Sequence, residues 1–301
     1  MAITARLLWL DGVMVESSTA GVPLMGHAAQ RGSLVFDVGS FRMTPRGPAL
    51  FRARDHVARF LRSASIVGLE LPYDAETLVR AAQQVVAESG SEEGLVRWSA
   101  FLTAREPDLI PRDHATHVAV AAQTLQDPPR QTPLRIAVFD DARKAASEVL
   151  PPDTKAAGAY LGPMIARKRA IASGADDVVL LDKDGDIAEA PIANAFAVVD
   201  GTLWTPPLGR ILPGITRDSV LAIARAESIP VREERLPLDA FASADEAFLT
   251  ATSLPIAPIG SVNGRPLASA PGPITTRLIE RLTRARSGDD PARQHWLTYL
   301  G

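Results

Sequence analysis

Pro152-Asp153-Thr154-Lys155-Ala156-Ala157-Gly158-Ala159-Tyr160 sets a lysine in a run of small residues, with a tyrosine five positions on. Small neighbours leave room beside an amine. An amine partly shielded from water loses some of its preference for the charged form, which is how a protein makes a Schiff-base-forming lysine at neutral pH. Read alone, the same stretch also suits a surface lysine at a helix start. The chain on either side decides between them.

Downstream, Tyr160–Ala172 has the pattern of a helix, Val178–Leu181 that of a buried strand, and Asp184-Gly185 that of a hairpin turn leading into Ile187-Ala188-Glu189. Glu189 heads an almost wholly apolar segment, Ala190 to Val199, where a carboxylate is costly unless a cation pairs with it. In Ile211-Leu212-Pro213-Gly214-Ile215-Thr216-Arg217, Pro-Gly makes a turn and Thr216 can cap the helix that follows. The first N–H groups of such a helix point outward and suit an anion. Strands are expected at Val231–Leu236 and Ala247–Ala251, a Ser/Thr loop over Thr250–Ser253, a hairpin at Asn263-Gly264 and a closing helix over Pro273–Arg286.

Upstream, Asp11-Gly12 between Leu7–Leu10 and Val13–Val15 marks a two-residue hairpin. Alternation from Val35 to Arg42 puts Phe36, Val38, Ser40 and Arg42 on one strand face, a mixture better suited to a pocket wall than to a core. Helical spacing predicts amphipathic helices over Arg54–Leu69, with Arg59 beside the apolar stripe, and over Asp74–Glu88. Strands follow at Gly94–Leu102 and Thr116–Ala122, and another at Leu134–Phe139. The polar, proline-rich Gln123–Pro133 has a linker's composition, so the domains are expected to be 1–122 and 134–301, joined by 123–133.

Composition narrows the function classes. The chain has 301 residues, 46% of them hydrophobic, a net charge of -3 and no cysteine. This is a folded chain with no basic footprint for nucleic acid, no disulfides and no thiolate chemistry. Leu7–Leu10 is too short an apolar run for a signal core or a membrane span, so a cytoplasmic protein is expected. His114 and His117 lack the carboxylate that would make them a metal motif, and no metal is expected.

Lys155 with Tyr160, Glu189 with Asn194, Leu212–Arg217 and Thr250-Ala251-Thr252 together resemble the signature of fold-type IV pyridoxal-phosphate aminotransferases, the branched-chain aminotransferase-like class. Arg31-Gly32, Phe36-Asp37 and the stretch from Leu50 through His56 to Arg59 extend the likeness over nearly the whole chain. The resemblance implies a two-domain α/β fold of the D-amino acid aminotransferase type, with mixed sheets, flanking helices, pyridoxal 5′-phosphate between the domains and a homodimer closing the site. It implies that Lys155 carries the cofactor and shuttles the proton, that Glu189 faces the pyridine nitrogen and that Tyr160 bonds the ring hydroxyl. Phosphate would fall to Arg59, Ile215, Thr216 and Thr252, and the substrate pocket to Arg31, Phe36, Val38, Ser40, Leu95, Arg97 and Ser253.

The pocket departs from the branched-chain pattern. Arg31, Val38 and Ser40 stand where those enzymes usually have tyrosine, glycine and arginine, and Leu95 replaces another tyrosine, while Arg97 is retained. These changes look more like (R)-selective amine transaminases, although those usually carry tyrosine at the position of Phe36. The reading leans to a transaminase taking (R)-amines or hydrophobic amino donors with an alpha-keto acid acceptor. A branched-chain L-amino acid aminotransferase using 2-oxoglutarate is the alternative, and an aminodeoxychorismate-type lyase a weaker one.

Overall fold

A computed structural model describes residues 6–124, 132–145, 147–148 and 150–300. The chain forms two compact units, one of Met1–Pro128 with Thr154–Gly158 and Arg284–Gly301, the other of Pro129–Asp153 with Ala159–Thr283. Of the stretch 123–133 expected to join two domains, residues 125–131 lie outside the described residues.

The first unit contains β1 (Leu7–Leu10), β2 (Val13–Glu16), α1 (His27–Arg31), β3 (Leu34–Thr44), β4 (Gly47–Phe51), α2 (Ala53–Ile66), α3 (Ala75–Ser89), β5 (Glu93–Leu102) and β6 (Thr116–Thr124). The expected hairpin is present: Asp11 and Gly12 take φ of 48° and 96°, the positive pair that a two-residue turn matching strand twist demands. With the C-terminal strand Leu297–Tyr299 the sheet runs C-terminal strand, β4, β3, β5, β6, β1, β2.

Two segments distant in sequence join this unit through backbone bonds. Leu297–Tyr299 pairs with β4, and the lysine stretch is tied to β3 by an Ala156–Val35 bridge. Long-range pairing of this kind leaves no trace in local periodicity.

Helices α2 and α3 cover one face of the sheet because their apolar residues recur at helical spacing. Val57, Phe60, Leu78, Val85, Val96, Trp98 and Val120 are each at most 1% exposed. Full burial of such side chains contributes about 1.5–3 kcal/mol apiece. Trp98 can be buried because its Nε1–H donates to Leu78 O at 3.0 Å. Asp74 caps α3 by accepting from Thr77 N–H.

The second unit comprises β7 (Leu134–Ala137), α4 (Leu161–Ala172), β8 (Asp177–Val178), β9 (Glu189–Ala190), β10 (Ala193–Val199), β11 (Thr202–Thr205), α5 (Ile215–Ala226), β12 (Val231–Glu233), α6 (Leu238–Ala242), β13 (Glu246–Thr250), β14 (Ala257–Val262), β15 (Arg265–Pro266) and most of α7 (Pro273–Ser287). Its sheet is ordered β12, β11, β10, β13, β14, β7, β8, with β9 on β10 and β15 on β14. Parallel and antiparallel pairs mix, as expected of this α/β class.

Three local expectations need correction. The strand read over Val178–Leu181 is a strand only at Asp177–Val178. Its apolar residues are buried as expected, but beyond Val178 the chain turns into the hairpin and Leu181 keeps only isolated bridges. The strand read over Val231–Leu236 stops at Glu233, with Leu236 bridging Ile187 instead. Thr216 is not the cap of α5: Gly214 is, with no side-chain bond, because Pro213-Gly214 turns the chain two residues earlier.

Gly94 lies opposite Phe41 in the β3–β5 ladder, and a Cβ there would meet Phe41 Cζ at 2.6 Å and Gln123 O at 2.5 Å. The ring occupies the glycine's empty side. Gly94→Ala should therefore destabilise the protein by about 1–3 kcal/mol, the usual penalty of overpacking. A lowered urea midpoint at unchanged slope checks this, and an unchanged midpoint contradicts it.

Candidate active site

The lysine stretch is held by its own backbone. Lys155 N–H donates to Ser63 Oγ at 3.0 Å, and Lys155 O accepts from Phe36 N–H at 3.0 Å. Helix α2 and strand β3 thus fix the Cα from which the side chain springs. Its Nζ lies 4.9 Å from the centre of the Phe36 ring, and the Arg97 guanidinium carbon 3.9 Å from the same centre. Aromatic faces attract cations at these distances.

Register explains what surrounds that ring. In the β3–β5 ladder Val38 faces Arg97, Ser40 faces Leu95 and Arg42 faces Glu93, so alternation delivers Phe36, Val38, Ser40, Leu95 and Arg97 to one face of the sheet. This face mixes buried Phe36, Ser40 and Leu95 with two arginines, Arg42 and Arg97. Arg42 has Arg286 near it, whose pKa is pushed down to about 10 by burial and by Arg42, against the pull of Glu93. Arg31 stands apart, exposed at the end of α1, where it donates to Gln30 O and Pro107 O.

The opposite face of β3 carries Asp37, fully buried, with His56 1% and Arg59 5% exposed. Arg59 Nε and Nη2 donate to Asp37 Oδ2 and Oδ1 at 2.7 and 2.8 Å, and His56 Nδ1 lies 2.7 Å from Oδ1. Burial by itself raises the Asp37 pKa, but Arg59 and then His56 outweigh it and hold the carboxyl well below the usual range. Burial pushes the His56 imidazole down, against the pull of Asp37. Arg59, expected at the phosphate, thus commits two of its nitrogens to a carboxylate that periodicity did not single out.

In the second unit the ladder sets Glu189 opposite Asn194 and Asn194 opposite Thr250, so these three lie side by side. Glu189 Oε2 accepts from Asn194 Nδ2 at 3.1 Å and from Leu212 N–H at 3.0 Å. Lys144 Nζ bonds Glu189 Oε1, which is the cation this carboxylate needs in apolar surroundings. Lys144 was missed because its loop carries no motif. The signal available was the need of Glu189 for a positive partner in a chain with four lysines, Lys144, Lys155, Lys168 and Lys183.

The same network draws the start of α5 to Glu189. Asn194 Nδ2 also donates to Leu212 O, and a Cβ on Gly214 would fall 1.9 Å from Asn194 Oδ1, so only glycine fits there. Ile215 and Thr216 open the helix. The Thr252-Ser253 pair tops the tight loop closed by Ala251 and Leu254, directly after Thr250. Tyr160 ends a short turn before α4. His117 is bound to Asp11 at 2.7 Å, and among the described residues no cluster of three potential metal ligands occurs. No helix of the described residues is long and apolar enough to cross a membrane.

The groups present fit a phosphorylated pyridine aldehyde. The first unit has an amine on a clamped backbone; the second has a carboxylate aimed by two N–H donors and a helix start whose cap, Gly214, makes no side-chain bond and leaves no room for a Cβ. The sequence model of the family Amino-transferase class IV matches residues 35–262. The chain belongs to this family and is a pyridoxal-phosphate-dependent aminotransferase of fold-type IV, of the branched-chain aminotransferase-like kind.

Among curated relatives, the branched-chain-amino-acid aminotransferase of Pseudomonas aeruginosa is 30% identical over 100% of this chain and 99% of its own length. Among solved structures, the branched-chain aminotransferase of Thermoproteus uzoniensis with norvaline is 34% identical, with a TM-score of 0.94 over 98% of this chain and 99% of that one. The branched-chain enzyme of Thermobaculum terrenum, solved in its PLP form, is 25% identical with a TM-score of 0.92 over 100% of both chains. Other similar structures were solved with pyridoxamine 5′-phosphate or N-(5′-phosphopyridoxyl)-L-glutamate.

The buried Asp37–His56–Arg59 cluster makes stability pH-dependent in a definite sense. His56 has a lowered folded pKa, so the unfolded chain takes up its proton first, near pH 6.5, and stability falls as pH drops below that value. Asp37 behaves likewise below about pH 4, where the unfolded carboxyl is protonated before the folded one. The urea midpoint should decline from pH 7.5 to 5.5, and His56→Gln should flatten that decline. An identical slope in the variant would remove His56 from the account.

Proposed function

We propose that this aminotransferase moves the amino group of a branched-chain or similarly hydrophobic L-amino acid to 2-oxoglutarate. The observation that carries this is the β3–β5 face, where apolar Phe36, Val38 and Leu95 stand beside Arg97, so that one face of the sheet offers both an apolar surface and a positive charge. The relatives named above, matched over their full length, support this branched-chain reading better than the (R)-amine lean suggested by Arg31, Val38 and Ser40. A homodimer and a cytoplasmic setting belong to the same proposal.

When bound, pyridoxal 5′-phosphate supplies an electron sink and a carrier for the amino group. Lys155 would hold it through Nζ, and the same amine would serve as the general base and acid that takes up and returns the substrate's proton. Glu189, aimed by Asn194 and Leu212 N–H, keeps a proton on the ring nitrogen. Tyr160 bonds the ring hydroxyl oxygen. Arg59, the N–H groups of Ile215 and Thr216, and the Thr252 hydroxyl hold the phosphate. Arg97 holds a substrate carboxylate, with Arg31 and Ser253 at the pocket's edge.

A donor panel tests the substrate. L-Leucine and L-valine should outpace both enantiomers of 1-phenylethylamine with 2-oxoglutarate as acceptor. Faster turnover of (R)-1-phenylethylamine would return the pocket to the amine reading. Pyruvate release without an acceptor would point to a lyase.

A second test concerns the acid–base group. Lys155→Ala should lose the visible band and at least about 10²–10⁴-fold of the rate, the range of a lost general acid–base catalyst, at an unchanged urea midpoint. Retention of either band or rate moves the chemistry to another residue.

A further inference from the structure

Asp37 takes no part in the chemistry above, yet it is the most completely enclosed carboxylate of the first unit's site, at 0% exposure. A lone charge there would be prohibitive. It is instead saturated: Oδ2 accepts from Arg59 Nε, and Oδ1 accepts from Arg59 Nη2 and from Val38 N–H at 2.7 Å, with His56 Nδ1 also on Oδ1. His56 in turn stacks on Trp98, ring centres 6.4 Å apart and planes 12° from parallel. The bidentate pair fixes the guanidinium plane, since two parallel bonds to one carboxylate leave it no free rotation.

The same helix face continues to Ser63, which receives Lys155 N–H. His56, Arg59 and Ser63 follow one another at spacings of three and four, so one stripe of α2 is fastened both to β3 and to the lysine stretch.

We propose that Asp37 is the positioning residue for the cofactor's phosphate: it presets the orientation of Arg59 before any ligand binds, so that phosphate meets a guanidinium already fixed rather than one that must be ordered. This rests on the reading of Arg59 as a phosphate ligand. Presetting lowers the ordering cost of binding and so shows as affinity for the phosphorylated ligand only.

The comparison of pyridoxal 5′-phosphate with pyridoxal isolates the effect, because both offer Lys155 the same aldehyde and only one offers Arg59 a phosphate. Dissociation constants of the two for the full-length apoenzyme, from quenching of protein fluorescence, give a discrimination ratio independent of turnover. Asp37→Asn should lower that ratio by about tenfold to a hundredfold, the range of a lost charged hydrogen bond, with pyridoxal affinity unchanged. Arg59→Ala should lower it as well, and the double variant no further than Arg59→Ala alone. His56→Gln, which keeps both Asp37–Arg59 bonds and removes their outer support, should fall between wild type and Asp37→Asn, and serves if Asp37→Asn does not fold.

A full ratio in Asp37→Asn, or in His56→Gln where that variant stands in for it, together with a reduced one in Arg59→Ala, overturns the positioning role and leaves Arg59 at the phosphate. Equal losses of both affinities in Asp37→Asn reduce Asp37 to a structural brace. A full ratio in Arg59→Ala overturns the phosphate reading itself.

Discussion

Two hydrogen bonds of the Lys155 backbone, its N–H to Ser63 Oγ and Phe36 N–H to its O, determine where the amine that lies over the Phe36 ring can reach. A lysine side chain is long and loses much rotamer entropy when confined. A protein that needs the amine at one place must first fix the Cα. Here that is done by β3 and a serine of α2, which share the first unit with Thr154–Gly158 although the lysine follows the linker in sequence. The Ala156–Val35 bridge completes the tie, and the small side chains of Ala156, Ala157 and Gly158 allow it.

The second unit solves the complementary problem of keeping a carboxylate charged among apolar neighbours. Glu189 is satisfied by Asn194, by Leu212 N–H and by Lys144, and each comes from a different segment. Asn194 also fixes Leu212 O, and it leaves no room for a side chain at position 214. A single amide therefore couples the acid to the start of α5, so that ring-nitrogen and phosphate functions, on the proposed reading, share one support. Coupled polar networks of this kind are stable only when every member is satisfied.

Much of this was legible from residue order. Asp11-Gly12 announced its hairpin, helical spacing announced α2, α3, α5 and α7, and Lys155, Glu189 and the Pro213-Gly214 turn stood out as chemically odd in their settings. Their significance came from co-linear resemblance, since each alone has a bland reading. What stayed hidden is long-range: Lys144 reaches Glu189 across 45 positions, Asp37 reaches Arg59 across 22, and the C-terminal strand returns to β4. Periodicity reports which face of an element is buried and is silent on what that face meets. The lean toward amines has the same origin, for substitutions at Arg31, Val38 and Ser40 were read as a set although Arg31 sits exposed at the end of α1 while Val38 and Ser40 lie on β3.

With four lysines in the chain, the identity of the cofactor-bearing amine is open to direct measurement. Lys144 is engaged with Glu189 and Lys183 with Glu148, the latter at 3.0 Å. Reduction of the pyridoxal-phosphate-loaded protein with borohydride, followed by digestion and mass spectrometry, fixes the label where the cofactor was attached. The account predicts a single phosphopyridoxyl adduct on the peptide containing Lys155. An adduct on Lys144, or on Lys168 or Lys183, would contradict it.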